Sequence, residues 1–207
     1  MDAIKERPIL FSATMVRAIL EGRKMVTRRE VKKKAALDCL AAGFDPEFLA
    51  LPGNSDLCPY GQPGDRLWVR ETFIDLRGTG VEHRPDPDGP LQRFAYAADY
   101  RPGSHSDDAR KDFGLKHKPS IHMPRAASRI LLEVTNVRVE RLQAISRSDI
   151  RAEGLECPPE LASDDVSPNY RDWYPAAWRE LWESINGAGA WDANPWVWVV
   201  EFKRVMP

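Results

Sequence analysis

The chain predicts an α+β domain: short strands forming a small, curved β-barrel, flanked by helices and interrupted by long loop insertions. Three observations lead there. Strand-like segments of mixed length stand beside amphipathic helical stretches without a regular βαβ repeat. The longest strand candidate, 128–142, changes phase part-way. Ile130, Leu132 and Val134 share one face, then Thr135-Asn136 intervenes and the pattern resumes at Val137 and Val139, the slip of a bulge that bends a sheet towards closure. Finally, 207 residues with 43% hydrophobic content and seven tryptophans suffice for one core, so 1–207 reads as a single domain carrying insertions at about 32–62, 77–118 and 156–170.

The elements follow in order. Ser12 caps a helix over 13–21, with Met15, Val16, Ile19 and Leu20 on one face and Gly22 as its stop. Residues 25–31 are extended, and 32–62 reads as a short helix plus loop. The Gly64-Asp65 turn introduces a strand over 66–73. Leu67, Val69, Glu71 and Phe73 fall on one of its faces, Trp68, Arg70 and Thr72 on the other. A loop over 77–90, a short strand over 93–98 and a polar loop over 100–119 come next; two long loops in a small domain point to lids or binding surfaces. After the bulged strand, Ser146 caps a helix with Asp149 three residues on and Gly154 as its stop. A further helix over 171–186 is expected to bury Trp178, Leu181, Trp182 and Ile185. Asn194-Pro195 precedes a strand over 196–203, apolar on nearly both faces and therefore central. No internal repeat or low-complexity tract is present.

Composition excludes several classes. A net charge of −1 and a pI near 6.4 disfavour extended contact with a duplex phosphate backbone. Cys39, Cys58 and Cys157 are odd in number and widely spaced, as expected of reduced thiols. The histidines, His83, His105, His117 and His122, form no HxxxH pair, and no CxxC occurs. No metal site and no cofactor are therefore expected. The N-terminus lacks a signal-peptide core and no apolar run reaches spanning length, so a cytoplasmic protein without a membrane partner is expected.

One segment carries chemistry. In Gly22-Arg23-Lys24-Met25-Val26-Thr27-Arg28-Arg29 a lysine precedes a threonine by three residues, where a helix gives way to a strand. A hydroxyl with an amine nearby is the minimum for an activated nucleophile. Taken by themselves, Lys24 and Thr27 also fit a solvated turn and an ordinary β-branched strand residue.

Together, the stretches 19–29, 64–73, 134–155 and 197–202 resemble the ASCH domain of the PUA-like barrel superfamily. Cys58-Pro59-Tyr60-Gly61, Ser120-Ile121-His122-Met123-Pro124-Arg125 and Asn194-Pro195-Trp196-Val197-Trp198 resemble longer, phage or prophage ASCH proteins. Members of the family are associated with RNA binding, nuclease activity and amide hydrolysis. The hydrolytic branch consists of compact bacterial amidohydrolases acting on N4-acetylcytidine and related N4-acylated cytosines, with a Gly-x-Lys-x-x-Thr setting and a glutamate on a later helix. Gly22, Lys24 and Thr27 match the first part. Leu142-Gln143-Ala144-Ile145-Ser146 through Ala152-Glu153-Gly154 resembles the second, which puts Glu153 at the acid position. The resemblance implies a PUA-like fold and a catalytic set of Lys24 as base, Thr27 as nucleophile and Glu153 as acid, with no metal.

The residues are compatible with those roles. An ordinary lysine pKa of about 10.4 makes a poor base near neutrality, but burial, or the charges of Arg23, Arg28 and Arg29, lowers it. Glu153, in the last turn of its helix, lies at the negative end of the dipole, which favours the protonated acid. Candidate substrate contacts are Trp68 and Tyr96 as stacking platforms, Glu71 as a second acid on a buried face, and Arg28; Trp198 is a further stacking candidate, although aromatics at strand spacing are more often core. Glu71 alternatively belongs to a structural ion pair, and the Trp178/Trp182 pair reads as core. Arg28, Arg29, Lys32, Lys33 and Lys34 form a basic cluster, either a solvated face or a phosphate contact. The alternatives to a small-molecule hydrolase acting on a modified cytosine are an RNA-binding module without catalysis and a ribonuclease.

Overall fold

The computed structural model describes residues 4–86, 88–100, 105–158 and 168–205. Among the described residues seven strands, β1 (Glu6–Leu10), β2 (Val26–Glu30), β3 (Arg66–Arg70), β4 (Phe73–Asp75), β5 (Phe94–Tyr96), β6 (Leu131–Arg141) and β7 (Trp196–Val205), combine with six α-helices. The helices are α1 (Ala13–Leu20), α2 (Lys34–Ala41), α3 (Pro46–Leu49), α4 (His105–Asp112), α5 (Arg147–Ala152) and α6 (Pro168–Asn186). Five strands form a mixed sheet in the order β1-β3-β6-β7-β2, and β4 pairs with β5 separately. Only β1 and β3 run parallel; the other neighbours are antiparallel. No helix among the described residues is long and apolar enough to cross a membrane.

The sheet is buried on both faces at its centre. On one face Trp198, Val200 and Phe202 of β7 pack with Leu132, Val134, Val137, Leu67, Phe11 and α1. On the other, Val197 and Val199 pack with Val26, Ile150 and the indoles of Trp178 and Trp182. A strand apolar on both faces must lie inside a sheet, and β7 does, between β6 and β2. The β6–β7 register jumps from Val134↔Phe202 to Asn136↔Glu201, leaving Thr135 as the extra residue, where the sequence phase slips.

Several expectations need correction. The strand expected over 66–73 ends at Arg70, and Phe73 opens β4, which leaves the main sheet to pair with β5. Alternation continues through Glu71 and Thr72, so periodicity cannot mark the break. The strand over 93–98 shortens to 94–96, and the loop over 100–119 contains α4, whose polar composition hides it. The last helix starts at 168. Ile185, expected in its buried face, is 51% exposed. Of the 156–170 insertion, residues 159–167 lie outside the described residues.

Candidate active site

The site forms where the α1–β2 turn meets the end of α5. Ser12 Oγ accepts from the Met15 amide and starts α1; Gly22, at φ +76°, turns the chain out of it. The amides of Arg23 and Lys24 then return to the Ala18 carbonyl at 2.8 and 3.0 Å. On the other side, Ser146 Oγ accepts from the Asp149 amide at 3.1 Å, and Glu153 is the C-cap residue of α5. Gly154 follows at φ +89°, and a Cβ there would sit 2.9 Å from both Ala18 Cβ and Lys24 Cβ. The missing side chain lets the two segments touch. Lys24 and Glu153 form an isolated antiparallel bridge, and the Met25 amide donates to the Ala152 carbonyl at 2.8 Å.

These contacts bring Glu153 onto Lys24, 129 residues away in sequence, and Thr27 lies three residues beyond Lys24, on β2. Lys24, Thr27 and Glu153 are 2%, 2% and 5% exposed. Lys24 Nζ donates to Glu153 Oε2 at 2.6 Å, to the Glu153 carbonyl at 3.0 Å and to the Val26 carbonyl at 2.8 Å. Burial lowers the Lys24 pKa below the ordinary lysine range; Glu153 opposes that shift, while the charges of Arg29 and Arg28 add to it. Phe11 lies beneath, its ring centroid 5.6 Å from Nζ.

Arg28 stands at the same junction, enclosed by carboxylates. Nη1 donates to Glu153 Oε1 at 3.3 Å, and Nη2 to Glu140 Oε1 at 2.7 Å and Asp149 Oδ2 at 2.6 Å. Arg138 joins the network through Asp149 at 2.7 Å and through Glu140 and Glu201. Glu153 is therefore held by two cations, one per carboxylate oxygen.

A cavity of about 280 Å³ opens on this cluster, lined by Thr27, Arg28, Arg29 and Glu153. It wraps the free edge of β2. Met15, Pro59 and Tyr60 wall one side; Trp178, Leu181, Trp182 and Ile185 of α6 wall the other. The edge strand also presents backbone donors. Val31 N donates to the Trp196 carbonyl and Phe202 N to the Met25 carbonyl, so odd-numbered residues of β2 bond to β7. The backbone groups of Val26, Arg28 and Glu30 then point outward, as the Val26 carbonyl does in accepting from Lys24.

Not every expected site residue reaches this cavity. Thr27, Arg28 and Glu153 line it, and Lys24 stands directly behind Glu153. Trp68, Glu71 and Tyr96 do not contribute to its walls. Trp68 stacks under the Arg70 guanidinium, 5.5 Å away. Glu71 is held by Arg129 at 2.9 and 3.1 Å, the ion pair weighed as its alternative. Arg129 also bonds Asp99 and lies 3.9 Å over the Tyr96 ring. The Tyr96 hydroxyl donates to the Ala127 carbonyl, and burial pushes its pKa up to about 12. Trp198 is enclosed in the core. Conversely, Tyr60, Trp178 and Trp182 line the cavity without being site candidates: Tyr60 stands only within a family-like segment, and the helical spacing of the two tryptophans reads as core.

Comparisons with protein-family models, with curated proteins and with solved structures give no significant match to this chain.

Proposed function

We propose that the protein is an amidohydrolase that removes the acyl group from N4-acylated cytosine or its nucleoside, and that it is a PUA-like, ASCH-type domain whose sheet stays open and is elaborated by insertions. The observation carrying this reading is the buried Lys24 Nζ–Glu153 Oε2 contact of 2.6 Å behind a cavity wall that contains Thr27. The bulge in β6 and the α+β architecture support the fold assignment.

The pair supplies an acid and a base with one internal proton transfer. As ammonium and carboxylate it is a buried ion pair; with the proton moved from Nζ to Oε2 it becomes a neutral amine beside a carboxylic acid. Burial favours the neutral amine on Lys24. Thr27 Oγ1 attacks the acyl carbon while the Lys24 amine takes its proton. The oxyanion faces the outward amide of Arg28 on the open strand edge. Collapse breaks the C–N4 bond, Glu153 protonates the departing amino group, and the acyl group remains as an ester on Thr27. Water then attacks that ester, giving its proton to Glu153, while Lys24 returns a proton to Thr27. A carboxylic acid leaves and the neutral pair is restored.

The RNA-binding alternative has less support. Within the basic cluster Arg28 is enclosed by three carboxylates, Arg29 caps the Leu10 carbonyl, and Lys33 donates to the Asp56 carbonyl. Lys32 and Lys34 pair with Glu30 and Asp38 at 3.6 and 3.0 Å.

Chromatography of N4-acetylcytidine incubated with the purified protein tests the proposal. Cytidine and acetate are expected from the wild type, with loss of at least about 100-fold in rate for Thr27→Ala and Glu153→Gln. No cytidine from the folded wild type, or undiminished rates in both variants, would refute it.

A further inference from the structure

The charge network behind the cavity extends past the three residues assigned to the chemistry. The Arg28 side chain has no exposed surface, so water does not screen its charge, and a guanidinium stays protonated at any working pH. Its Nη1 meets Glu153 Oε1 at 3.3 Å, while Lys24 holds the other oxygen. A cation against Oε1 opposes the proton that Glu153 has to carry as an acid. Two further carboxylates offset it. Glu140 Oε1 accepts from Arg28 Nε and Nη2 at 3.1 and 2.7 Å, and Asp149 Oδ2 accepts from Nη2 at 2.6 Å. All three contacts are shorter than the one to Glu153, so the guanidinium sits closer to this pair than to the acid.

The fold fixes the arrangement. Arg28 and Arg138 both lie opposite Val199, in the strands on either side of it, and so share a sheet face. Asp149 on α5 and Glu153 at its C-cap stand four residues apart, one above the other, and both accept from Arg28. Arg138 ties the two outer carboxylates down: Nη2 donates to Asp149 Oδ2 at 2.7 Å and Nε to Glu140 Oε2 at 3.3 Å, while Nη1 holds Glu201 of β7. Glu140, Asp149 and Arg138 are half-buried, and none of them lines the cavity. They reach the reaction only through Arg28.

Resting on the amidohydrolase reading, we propose that Asp149 and Glu140 are positioning residues of the reaction: they hold and neutralise Arg28, so that the proton of the Lys24–Glu153 pair can pass from the amine to the carboxylate. With either of them uncharged, the Arg28 charge falls undiminished on the pair. It repels protons from both members, and most from Glu153, which it touches. The one proton left on the pair then stays on Lys24, and the base is occupied. The other charges facing the pair are Arg29 on β2 and Arg23, bonded to the Gly154 carbonyl. Helix α6 brings no charged side chain to the cavity wall.

The test is the pH profile of N4-acetylcytidine hydrolysis by the full-length D149N and E140Q variants. Both substitutions keep the side chain's size and an oxygen acceptor for Arg28. Each is expected to lower kcat about tenfold and to move the rising limb of kcat/KM about one pH unit lower. KM should change little, because neither side chain touches the substrate. R138M acts with the opposite sign: the two carboxylates lose their shared cation and bear harder on Arg28, so the limb should move to higher pH. A lower melting temperature with the limb in place, or a shift of one sign in all three variants, overturns the proposal. If D149N fails to fold, E140Q and R138M carry the same contrast. If the wild type hydrolyses nothing, the amidohydrolase reading falls separately. The 15N titration of Lys24 Nζ, assigned by its loss in K24M, then decides on the network. A midpoint lower in D149N and higher in R138M retains it; an unmoved midpoint rejects it.

Discussion

In the proposed hydrolysis Lys24 is the base, and burial and two neighbouring guanidinium groups act on its pKa against a single carboxylate. Its folded-state pKa lies below its unfolded one. Between those two values the unfolded chain holds the extra proton, so the stability of the wild type rises with pH across that window. Lys24→Met is expected to remove this rise, which chemical denaturation at a series of pH values measures. A catalytic base with a lowered pKa also gives a rate that climbs with pH until the amine is free. Arg29 is the larger of the two cationic contributions, and part of its side chain reaches solvent. Arg29→Met should therefore move the rising limb of kcat/KM to higher pH without opening the Arg28 carboxylate network. An unmoved limb would mean that Lys24 is not the titrating base.

At the level of elements, the site depends more on how α5 ends than on how it begins. Ser146→Ala removes one cap hydrogen bond and should cost about 1 kcal/mol of stability, with kcat little changed because the Lys24–Glu153 bridge still fixes the far end. Gly154→Ala should cost about 2 kcal/mol or more, since it combines a strained φ with a 2.9 Å approach to Lys24 Cβ, and under the proposed mechanism it should lower kcat as well. Thermal melts alongside initial rates separate the two. The contrast also shows what a sequence makes legible. The caps at Ser12 and Ser146, the stops at Gly22 and Gly154 and the slip at Thr135 are local events, written within a few residues, and the structure places each as expected. The partner of Glu71 is 58 residues away, and nothing near Glu71 names Arg129. The cavity was equally hidden: helical spacing shows that Trp178 and Trp182 face inward, but not that they line a pocket with Thr27 and Glu153.

At the scale of the molecule, two charge clusters stand apart among the described residues. Arg28 and Glu153 line the cavity with Lys24 behind them, whereas Glu71, Arg129 and Asp99 join the main sheet to the long insertion over 77–118. There Ile74, Leu76 and Ala95 pack with Val81, Tyr100 and Leu115. Glu71 is almost fully enclosed and burial raises its pKa, with Arg129 opposing the shift. A group with a raised folded-state pKa contributes most below its unfolded value and loses that contribution as pH climbs through the folded one. Arg129→Ala strips Glu71 of its counter-ion and should destabilise the protein by roughly 3 kcal/mol near neutrality, as breaking buried pairs does. The deficit should shrink on acidification, when Glu71 takes up a proton. Replacing both partners, as in Glu71→Leu with Arg129→Leu, should recover much of the loss, because an apolar pair needs no compensation. Neither residue lines the cavity, so turnover of N4-acetylcytidine per folded molecule should remain near the wild-type value in the double variant. A large fall in kcat there, with stability restored, would show that the insertion reaches the chemistry and that the two clusters act as one.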